Sequence, residues 1–411
     1  MKTFLCILFA AATILADDWP RFRGPNGSGI GVAANVPAQW TEKDYNWTVK
    51  LPGVGHSCPV IVGNRLFVTC ADETANKGVV LCLDAATGKT LWQHAVPVKP
   101  HRQNKDNSLA TSTPAADERG VVVVWADPDQ VLMLALDNTG KEMWRRDLGP
   151  LVSQHGFATS PIIESGLVIL NNDQDDPSAI PSNKGKAVAA PGKSFVIALD
   201  RATGKTRWQL DRVTKMGTYG TPCLRGNELI LCSTAEGVVG VDLATGKVNW
   251  QLPDVFDKRC VASPALCGDI ILQGCGVGGV GTSFSAVKAG SKPEQIYQME
   301  KPVPYVPCPL VKDGKLFAWA DAGTVSCLDA ATGKIIWRDR VQGAFYSSPV
   351  WISGRLYNVA KNGDVFVLGA GDKFELLARV PLGDKCHSSP AVANGALYLR
   401  TFTQLFSVGG K

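Results

Sequence analysis

Side chains that can bind ligands or exchange protons recur just before a series of prolines. They are His56, His155, Tyr219, Arg259, Tyr305, Tyr346, Lys385 and His387. Imidazole and phenol groups exchange protons, arginine and lysine attract anions, and neutral imidazole also binds metal ions. If the prolines open equivalent strands of a repeat, these side chains lie together at one mouth of a central channel. The sequence therefore predicts a pocket there that suits an anionic ligand.

Two other interpretations of this set stay open. Polar side chains also line a channel mouth simply because water fills it, without any small-molecule site. A metal centre of His56, His155 and His387 with a nearby cysteine is a minor hypothesis, because ligands must converge to about 2.0–2.3 Å from the ion and sequence spacing cannot show that. We expect no metal, and the sequence assigns no catalytic residue.

Other polar or glycine-rich stretches are more typical of connections than of sites. Residues 171–176 lack the central glycine and final glutamate of an EF-hand loop, so we expect a long solvated insertion. Residues 101–106 form a polar connection that can fold over the mouth. The glycine-rich run 274–281 is interpreted as a flexible bulge, since no helical pattern follows it. The hydrolase signatures Gly-x-Ser-x-Gly and His-Glu-x-x-His do not occur.

The elements that position the mouth residues follow from two repeated phrases. The first runs from an aspartate through Thr-Gly-Lys to a tryptophan, and its five copies occupy residues 84–92, 137–144, 200–208, 242–250 and 329–337. The second is a small residue before a strand-opening proline, at Cys58-Pro59, Thr113-Pro114, Ser160-Pro161, Thr221-Pro222, Ser263-Pro264, Cys308-Pro309, Ser348-Pro349 and Ser389-Pro390. Gly-containing turns follow each opening. Each unit is thus predicted to be a blade of four antiparallel strands.

Eight openings predict an all-β, eight-bladed β-propeller, with seven blades as the fallback. The last unit has room for only three strands before Lys411. The segment Tyr45–Lys50 can supply the fourth and places Trp47 where a blade ends in tryptophan. Strands from both ends of the chain would then close the ring and leave no free sheet edge.

The repeated phrase itself is interpreted as structural. Aspartate accepts hydrogen bonds from nearby backbone donors, glycine supplies the positive φ of a tight turn, and tryptophan buries a large ring against the neighbouring blade. The fifth unit departs from the phrase, with Ile296-Tyr297 in place of tryptophan, and the seventh does so at Leu376-Leu377.

These motifs resemble the repeats of pyrroloquinoline quinone (PQQ) dehydrogenases and of the outer-membrane assembly factor BamB, a non-enzymatic member of the same family. Ala135 to Trp144 and Ala198 to Trp208 carry the match, which extends over nearly the whole mature chain. The start Trp19-Pro20-Arg21-Phe22-Arg23-Gly24-Pro25 looks like that of exported PQQ-like proteins of planctomycetes. The resemblance implies a quinoprotein alcohol dehydrogenase-like fold, and either a scaffold or an oxidoreductase that uses PQQ and calcium.

Of the features that the resemblance associates with an active dehydrogenase, one is absent from the sequence and the other cannot be placed by motif. Such enzymes commonly carry two adjacent cysteines over the cofactor and a Glu, Asn and Asp set around calcium, and no two cysteines are adjacent here. The sequence therefore favours a non-catalytic propeller that holds a protein or another macromolecule at the channel mouth. The alternative is a divergent PQQ-dependent alcohol or sugar dehydrogenase, whose cofactor carboxylates would meet the same ring of residues.

The N-terminal residues predict export. A lysine, an apolar run and small residues before Asp17 are typical of a signal peptide over residues 1–16, followed by an extended segment over 17–44 and the propeller over 45–411. We expect a periplasmic or extracellular monomer without a transmembrane segment. Loss of Cys6 leaves an odd number of cysteines, and Cys58, Cys70 and Cys82 could pair or remain buried thiols.

Charge gives no support for nucleic acid as a partner. The formal net charge is +5, from 42 basic and 37 acidic side chains. Lysine and arginine are scattered along the chain and form no basic stripe.

Overall fold

The computed structural model describes residues 18–33, 35–101, 103–180, 183–184 and 186–410. The predicted signal peptide with Cys6 lies outside the described residues, as does Arg102 of the polar connection. The described chain is all-β and forms eight sheets, each of which contains the four antiparallel strands of one propeller blade. The prediction of eight blades with four antiparallel strands each is confirmed.

Each blade runs from a three-residue strand on the channel to a polar strand at the rim. The strands of blades 1–4 are β3 (Val60–Val62), β4 (Arg65–Asp72), β5 (Lys77–Asp84), β6 (Thr90–Pro97), β7 (Ala115–Asp117), β8 (Gly120–Asp127), β9 (Gln130–Asp137), β10 (Glu142–Asp147), β11 (Ile162–Glu164), β12 (Leu167–Asn172), β13 (Phe195–Asp200), β14 (Thr206–Asp211), β15 (Cys223–Arg225), β16 (Glu228–Ser233), β17 (Gly237–Asp242) and β18 (Val248–Leu252). The strands of blades 5–7 are β19 (Ala265–Cys267), β20 (Ile270–Val277), β21 (Val280–Lys288), β22 (Glu294–Glu300), β23 (Leu310–Lys312), β24 (Lys315–Trp319), β25 (Thr324–Asp329), β26 (Ile335–Arg340), β27 (Val350–Ile352), β28 (Arg355–Val359), β29 (Asp364–Gly369) and β30 (Leu376–Pro381).

Blade 8 combines strands from the two ends of the chain. It contains β31 (Ala391–Ala393), β32 (Ala396–Arg400), β33 (Gln404–Gly409) and, at its rim, β2 (Tyr45–Lys50). The pairing of Trp47 with Ser407 and of Lys50 with Gln404 confirms the predicted closure of the ring. Farther upstream, β1 (Ile30–Gly31) pairs in parallel with β27, and short 3-10 helices occupy Pro25–Gly27, Glu42–Asp44 and Pro177–Ala179.

The repeated tryptophans join successive blades, as predicted. The indole N–H of Trp47, Trp144 and Trp208 each donates at 3.0 Å to a backbone carbonyl in the repeat turn of the next blade. Trp92 does the same at 2.9 Å. The ring also covers the turn glycine: a Cβ at Gly88, where φ is 71°, would come within 2.7 Å of the Trp47 ring. Aspartates such as Asp84 accept the predicted hydrogen bonds from the turn threonine.

Blade 5 keeps the contact between blades although its sequence departs from the repeat. Tyr297 takes the place of tryptophan, and its hydroxyl donates to the carbonyl of Ala330 in blade 6 at 2.9 Å. Because blade 5 lacks the repeat turn, the preceding Trp250 donates instead to the Glu228 carboxylate of its own blade at 3.1 Å. Residues 274–281, interpreted from sequence as a bulge, form the tip of the β20–β21 hairpin and include a register shift beside Cys275.

The prediction of a solvated loop over residues 171–176 was wrong for most of that stretch. Residues 171–175 are buried, and the first two belong to β12. Asp173 lies 3.4 Å from Arg212 and Asp175 lies 3.1 Å from Arg259. Both arginines are distant in sequence, so local composition could not reveal that these carboxylates have buried partners.

The described cysteines are free thiols. Eleven are present and ten of them are buried, including Cys58, Cys70 and Cys82. The described part of the chain contains no helix with the length and apolar character that crossing a bilayer requires.

Candidate functional site

A ring of small side chains ties the innermost strands together around the channel. At seven of the eight positions before a strand-opening proline, the side-chain oxygen or sulfur accepts the backbone N–H of the equivalent residue in the preceding blade. Seven such bonds, of 2.8–3.2 Å, join Cys58 to Thr113, Thr113 to Ser160, Thr221 to Ser263, Ser263 to Cys308, Cys308 to Ser348, Ser348 to Ser389 and Ser389 back to Cys58. The small residue of the sequence motif is therefore a polar link between blades.

A cavity of about 1240 Å³ occupies the channel above this ring. All eight residues before the prolines line it, and Phe22 from the N-terminal segment reaches it as well. Seven of the eight predicted mouth residues also line it: His56, His155, Tyr219, Arg259, Tyr305, Tyr346 and His387. Lys385 is exposed and lies outside this lining.

Two of the mouth histidines pack against one another with tilted rings. The rings of His56 and His387 are 4.6 Å apart between centroids, and Phe402 packs against both at 4.6 and 5.0 Å. Burial lowers the pKa of His56 well below its usual range, and the His387 ring adds to this effect. Burial and the Lys361 ammonium lower the pKa of His387 to about 4. Both imidazoles are therefore neutral at pH 7.

The connection between blades 1 and 2 folds over the mouth, as its sequence suggested. We call residues 103–110 the strap. The Asp106 carboxylate accepts from the Lys361 ammonium at 2.8 Å and from the Tyr346 hydroxyl at 3.3 Å, and its carbonyl accepts from His387 Nδ1 at 3.1 Å. On the other side, Asn107 donates to the His155 carbonyl at 2.7 Å. The strap thus joins the connection that leads into blade 3 to connections in and beside blade 7.

Arg259 is held inside the wall of the cavity. Its guanidinium donates to the Asp175 carboxylate at 3.1 Å, to the Gly217 carbonyl at 2.8 Å and to the Tyr219 hydroxyl at 3.3 Å. Both charged side chains are almost fully buried, with 5% of Arg259 and 1% of Asp175 exposed. The carboxylate partner was missed from sequence, because Asp175 lies in the stretch interpreted as solvated.

Asp321 is a second carboxyl group that sequence reasoning missed. It accepts the backbone N–H of Tyr305 at 2.8 Å and of Val306 at 3.1 Å, and so positions a tyrosine of the mouth. Burial raises the pKa of Asp321 to about 7. Its signal in the sequence, an aspartate in the turn between β24 and β25, is not distinctive.

The donor set does not fit a calcium-bound quinone. Within the described residues, no group of three or more His, Cys, Asp or Glu side chains is arranged to hold a metal ion. The Asp106 carboxylate at the mouth is paired with Lys361, and Arg259 is paired with Asp175. Calcium needs several convergent oxygen ligands that are free to bind it.

Comparison of the sequence with models of known protein families identifies the family of this chain. The family model described as outer membrane protein assembly factor BamB matches residues 76–258 and 295–373, more than half of the chain. The chain belongs to the BamB family. The resemblance inferred from the repeats is thereby confirmed.

Two alcohol-oxidising dehydrogenases are also similar in sequence to this BamB-family chain. A polyvinylalcohol dehydrogenase from Pseudomonas sp. is 23% identical over 207 residues, 47% of this chain and 29% of that protein. The dehydrogenase subunit of an alcohol dehydrogenase (quinone) from Acetobacter aceti is 28% identical over 151 residues, 37% of this chain and 19% of that protein. The match thus spans less than a third of each relative.

Solved structures share the fold with this BamB-family chain. The quinohemoprotein alcohol dehydrogenase of Comamonas testosteroni superposes with a TM-score of 0.70 at 13% identity, over 96% of this chain and 80% of that one. BamB from Moraxella catarrhalis superposes with a TM-score of 0.62 at 15% identity, over 88% and 95%. At these identities the likeness concerns the architecture alone.

Proposed function

We propose that this chain is an exported, monomeric binding propeller that holds a protein or another macromolecule at the channel mouth and carries out no chemistry. The observation that carries the proposal is that Arg259 and Asp106, two charged groups at the mouth, are each bound to an oppositely charged side chain. Arg259 is bound to Asp175, and Asp106 is bound to Lys361. Catalysis requires a base, nucleophile or ion that is free to meet the substrate.

The histidines at the mouth fit the same interpretation. His56 and His387 pack against each other, and their lowered pKa values keep them uncharged at neutral pH. His155 is the most open of the three, and its ring meets Asn104 at 3.4 Å. A partner that enters the mouth would contact His155, Asn104 and the exposed Lys105 of the strap.

A photo-cross-linking amino acid tests the partner surface. In one variant the cross-linking residue replaces Lys105, which is exposed at the mouth. In the matched control variant it replaces Arg119, on the exposed turn between β7 and β8. In the native host we expect one specific adduct from position 105 and none from position 119. Equal labelling of both positions, or of neither, would argue against a partner at the mouth.

The alternative is a divergent PQQ-dependent oxidoreductase, favoured by the similarity to quinone dehydrogenases and by the size of the cavity. Calorimetric titration of the purified chain with PQQ, with and without calcium, separates the two functions. We expect no saturable heat and no reduction of a dye with an alcohol or sugar. Saturable binding that is lost in His155→Ala but kept in the control His94→Ala, on the rim strand β6, would favour the oxidoreductase.

A further inference from the structure

The N-terminal segment crosses the channel at the end opposite the strap. We call residues Asp18–Gly31 the leader. Trp19 pairs with Ile61 of blade 1 through backbone hydrogen bonds of 2.8 and 2.9 Å, and the carbonyl of Pro20 accepts from Ala116 of blade 2 at 2.8 Å. Asn26 exchanges two bonds of 2.8 Å with the backbone of Leu224 in blade 4. The leader therefore touches the innermost strands of several blades in succession.

The leader ends its crossing at blade 7. The carbonyl of Gly29 accepts from the backbone N–H of Trp351 at 2.8 Å, and β1 then pairs in parallel with β27. The partners Ile61, Ala116, Leu224 and Trp351 all lie on the first strand of their blade. Such strands have one edge without a neighbour in their own sheet, so their backbone groups need partners from elsewhere.

Two arginines of the leader supply hydrogen-bond donors between these edges. Arg21 donates to the carbonyl of Pro222 in blade 4. Arg23 donates to the carbonyl of Pro309 in blade 6 at 3.0 Å and reaches that of Pro349 in blade 7 at 3.5 Å. The acceptors are the strand-opening prolines themselves, so the two guanidiniums bridge three blades. Arginine suits positions 21 and 23 of the leader because the planar guanidinium group donates hydrogen bonds in several directions at once.

Burial of these two arginines is costly, which indicates that the contact is specific. Arg21 is 5% exposed and Arg23 is 1% exposed. Loss of water lowers the pKa of Arg21 to about 10. A buried cation is stable only where dipoles or charges replace the water that it has lost. The convergent carbonyls of the inner strands provide those dipoles.

Phe22, between the two arginines, places its side chain on the cavity. It is the leader residue that lines the channel, together with the ring of small residues before the prolines. We propose that the channel floor is a peptide-binding site that recognises an Arg-x-Arg segment through proline carbonyls and strand edges. Its ligand is the chain's own leader, whose Phe22 converts an open channel into a pocket with one mouth. This proposal does not depend on the function proposed for that mouth.

The test separates the leader from the folded protein. A protease recognition sequence is inserted after Val32, which is 77% exposed, and the chain is cut after folding. We expect the released leader to remain bound through gel filtration and, once displaced by excess peptide, to be replaced by a fluorescent synthetic peptide of residues 18–31 in a saturable manner. A leader that leaves on cutting while the propeller stays folded, with no rebinding, would overturn the proposal.

Peptide variants test the recognition. Arg21→Ala and Arg23→Ala peptides should each bind about tenfold or more weakly, because each loses hydrogen bonds from a charged donor. Ser28→Ala is the matched control, since the Ser28 hydroxyl accepts from Ile30 within the leader, and it should bind within about threefold. Equal binding of all three peptides would overturn the role of the arginines.

A second measurement applies if the cut chain unfolds. In the uncut chain with Arg21→Ala and Arg23→Ala, hydrogen exchange is followed at the backbone amides of Ile61, Ala116 and Trp351, which donate to the leader. We expect these amides to exchange faster while amides of the central strands keep their protection. Unchanged protection of all three amides in the double variant would overturn the proposal.

Discussion

The indole N–H of Trp47 donates to the carbonyl of Ala85 at 3.0 Å and thereby joins the last blade to the first. Trp47 lies in β2, the strand that the N-terminal part of the chain adds to blade 8. Trp47 also pairs with Ser407 of β33, and this pairing of strands from the two ends of the chain closes the ring. One residue therefore takes part both in the closing sheet and in the contact between blade 8 and blade 1.

Substitution of Trp47 should therefore weaken the closure. We expect Trp47→Ala to lower the free energy of unfolding by about 3–5 kcal/mol, because a buried aromatic ring is lost. Trp47→Phe keeps most of the ring but loses the N–H donor, and it should cost about 1–2 kcal/mol. Urea unfolding followed by fluorescence measures both. A cost below about 1 kcal/mol for Trp47→Ala would show that closure does not depend on this contact.

The thiols in the ring of small residues should be replaceable by hydroxyls. Cys58 Sγ accepts the backbone N–H of Ser389 at 3.2 Å, and six of the eight equivalent positions use serine or threonine. We expect Cys58→Ser to change stability by less than about 1 kcal/mol, whereas Cys58→Ala leaves a buried N–H without its acceptor and should cost about 1–3 kcal/mol. Thermal unfolding compares the two variants. Equal stability of the two would contradict a role for the acceptor.

Arg259 should matter more for stability than for ligand binding. Arg259→Ala leaves the Asp175 carboxylate buried without its partner, and breaking such a pair costs about 3–5 kcal/mol. Arg259→Met with Asp175→Leu removes both charges and should recover most of that loss. Chemical unfolding of the wild type, the single variant and the double variant measures the coupling. A double variant no more stable than Arg259→Ala would contradict this interpretation.

The stability of the mouth should depend on pH through His387. Its folded-state pKa of about 4 lies below the usual 6.5, so the unfolded chain binds the proton more readily between these values. The contribution of His387 to the free energy of unfolding is thus fully present above pH 6.5 and is lost as the pH falls towards 4. Over this range the free energy of unfolding changes by up to about 1.4 kcal/mol per pH unit. His387→Gln should remove this part of the slope.

Comparison with wild type isolates the His387 effect from other groups. Asp321 has a raised pKa of about 7, so its contribution to stability decreases as the pH rises from 3.8 to 7, opposite to that of His387. Because both proteins retain Asp321, its effect cancels in the difference. Urea unfolding from pH 4 to pH 8.5 measures the free energy of unfolding of the wild type and of His387→Gln. The difference between the two proteins should vary below pH 6.5 and be constant above it. A constant difference throughout would rule out the His387 effect.

The strap should open when its carboxylate is neutralised. Asp106 binds Lys361 and Tyr346, and Asp106→Asn weakens both contacts while the side chain keeps its size. We expect faster hydrogen exchange over residues 103–110 with little change in overall stability. Asp129→Asn, which removes a largely exposed partner of Lys99, is the matched control and should leave the strap unchanged. Equal exchange in both variants would show that the charge does not hold the strap.

The sequence by itself determined the architecture of this protein. The aspartate, Thr-Gly-Lys and tryptophan of each repeat act within a turn or between adjacent blades, so their spacing along the chain specifies the contacts that they make. The eight small residues before proline gave the number of blades in the same way. The missing strand of blade 8 was predictable because a propeller cannot leave that edge free.

Only the tertiary structure decided the chemistry of the mouth and of the floor. The repeat pattern in the sequence predicted that His56, His155 and Tyr219 lie at one mouth, and all three line the cavity. It could not show that Arg259 is neutralised by Asp175, 84 residues away in sequence. Nor could it show that the leader crosses the floor, since Arg23 meets Pro309 across 286 residues. Such charges find their partners only when distant segments pack together, because burial and pairing depend on the surroundings in space and not on neighbours along the chain.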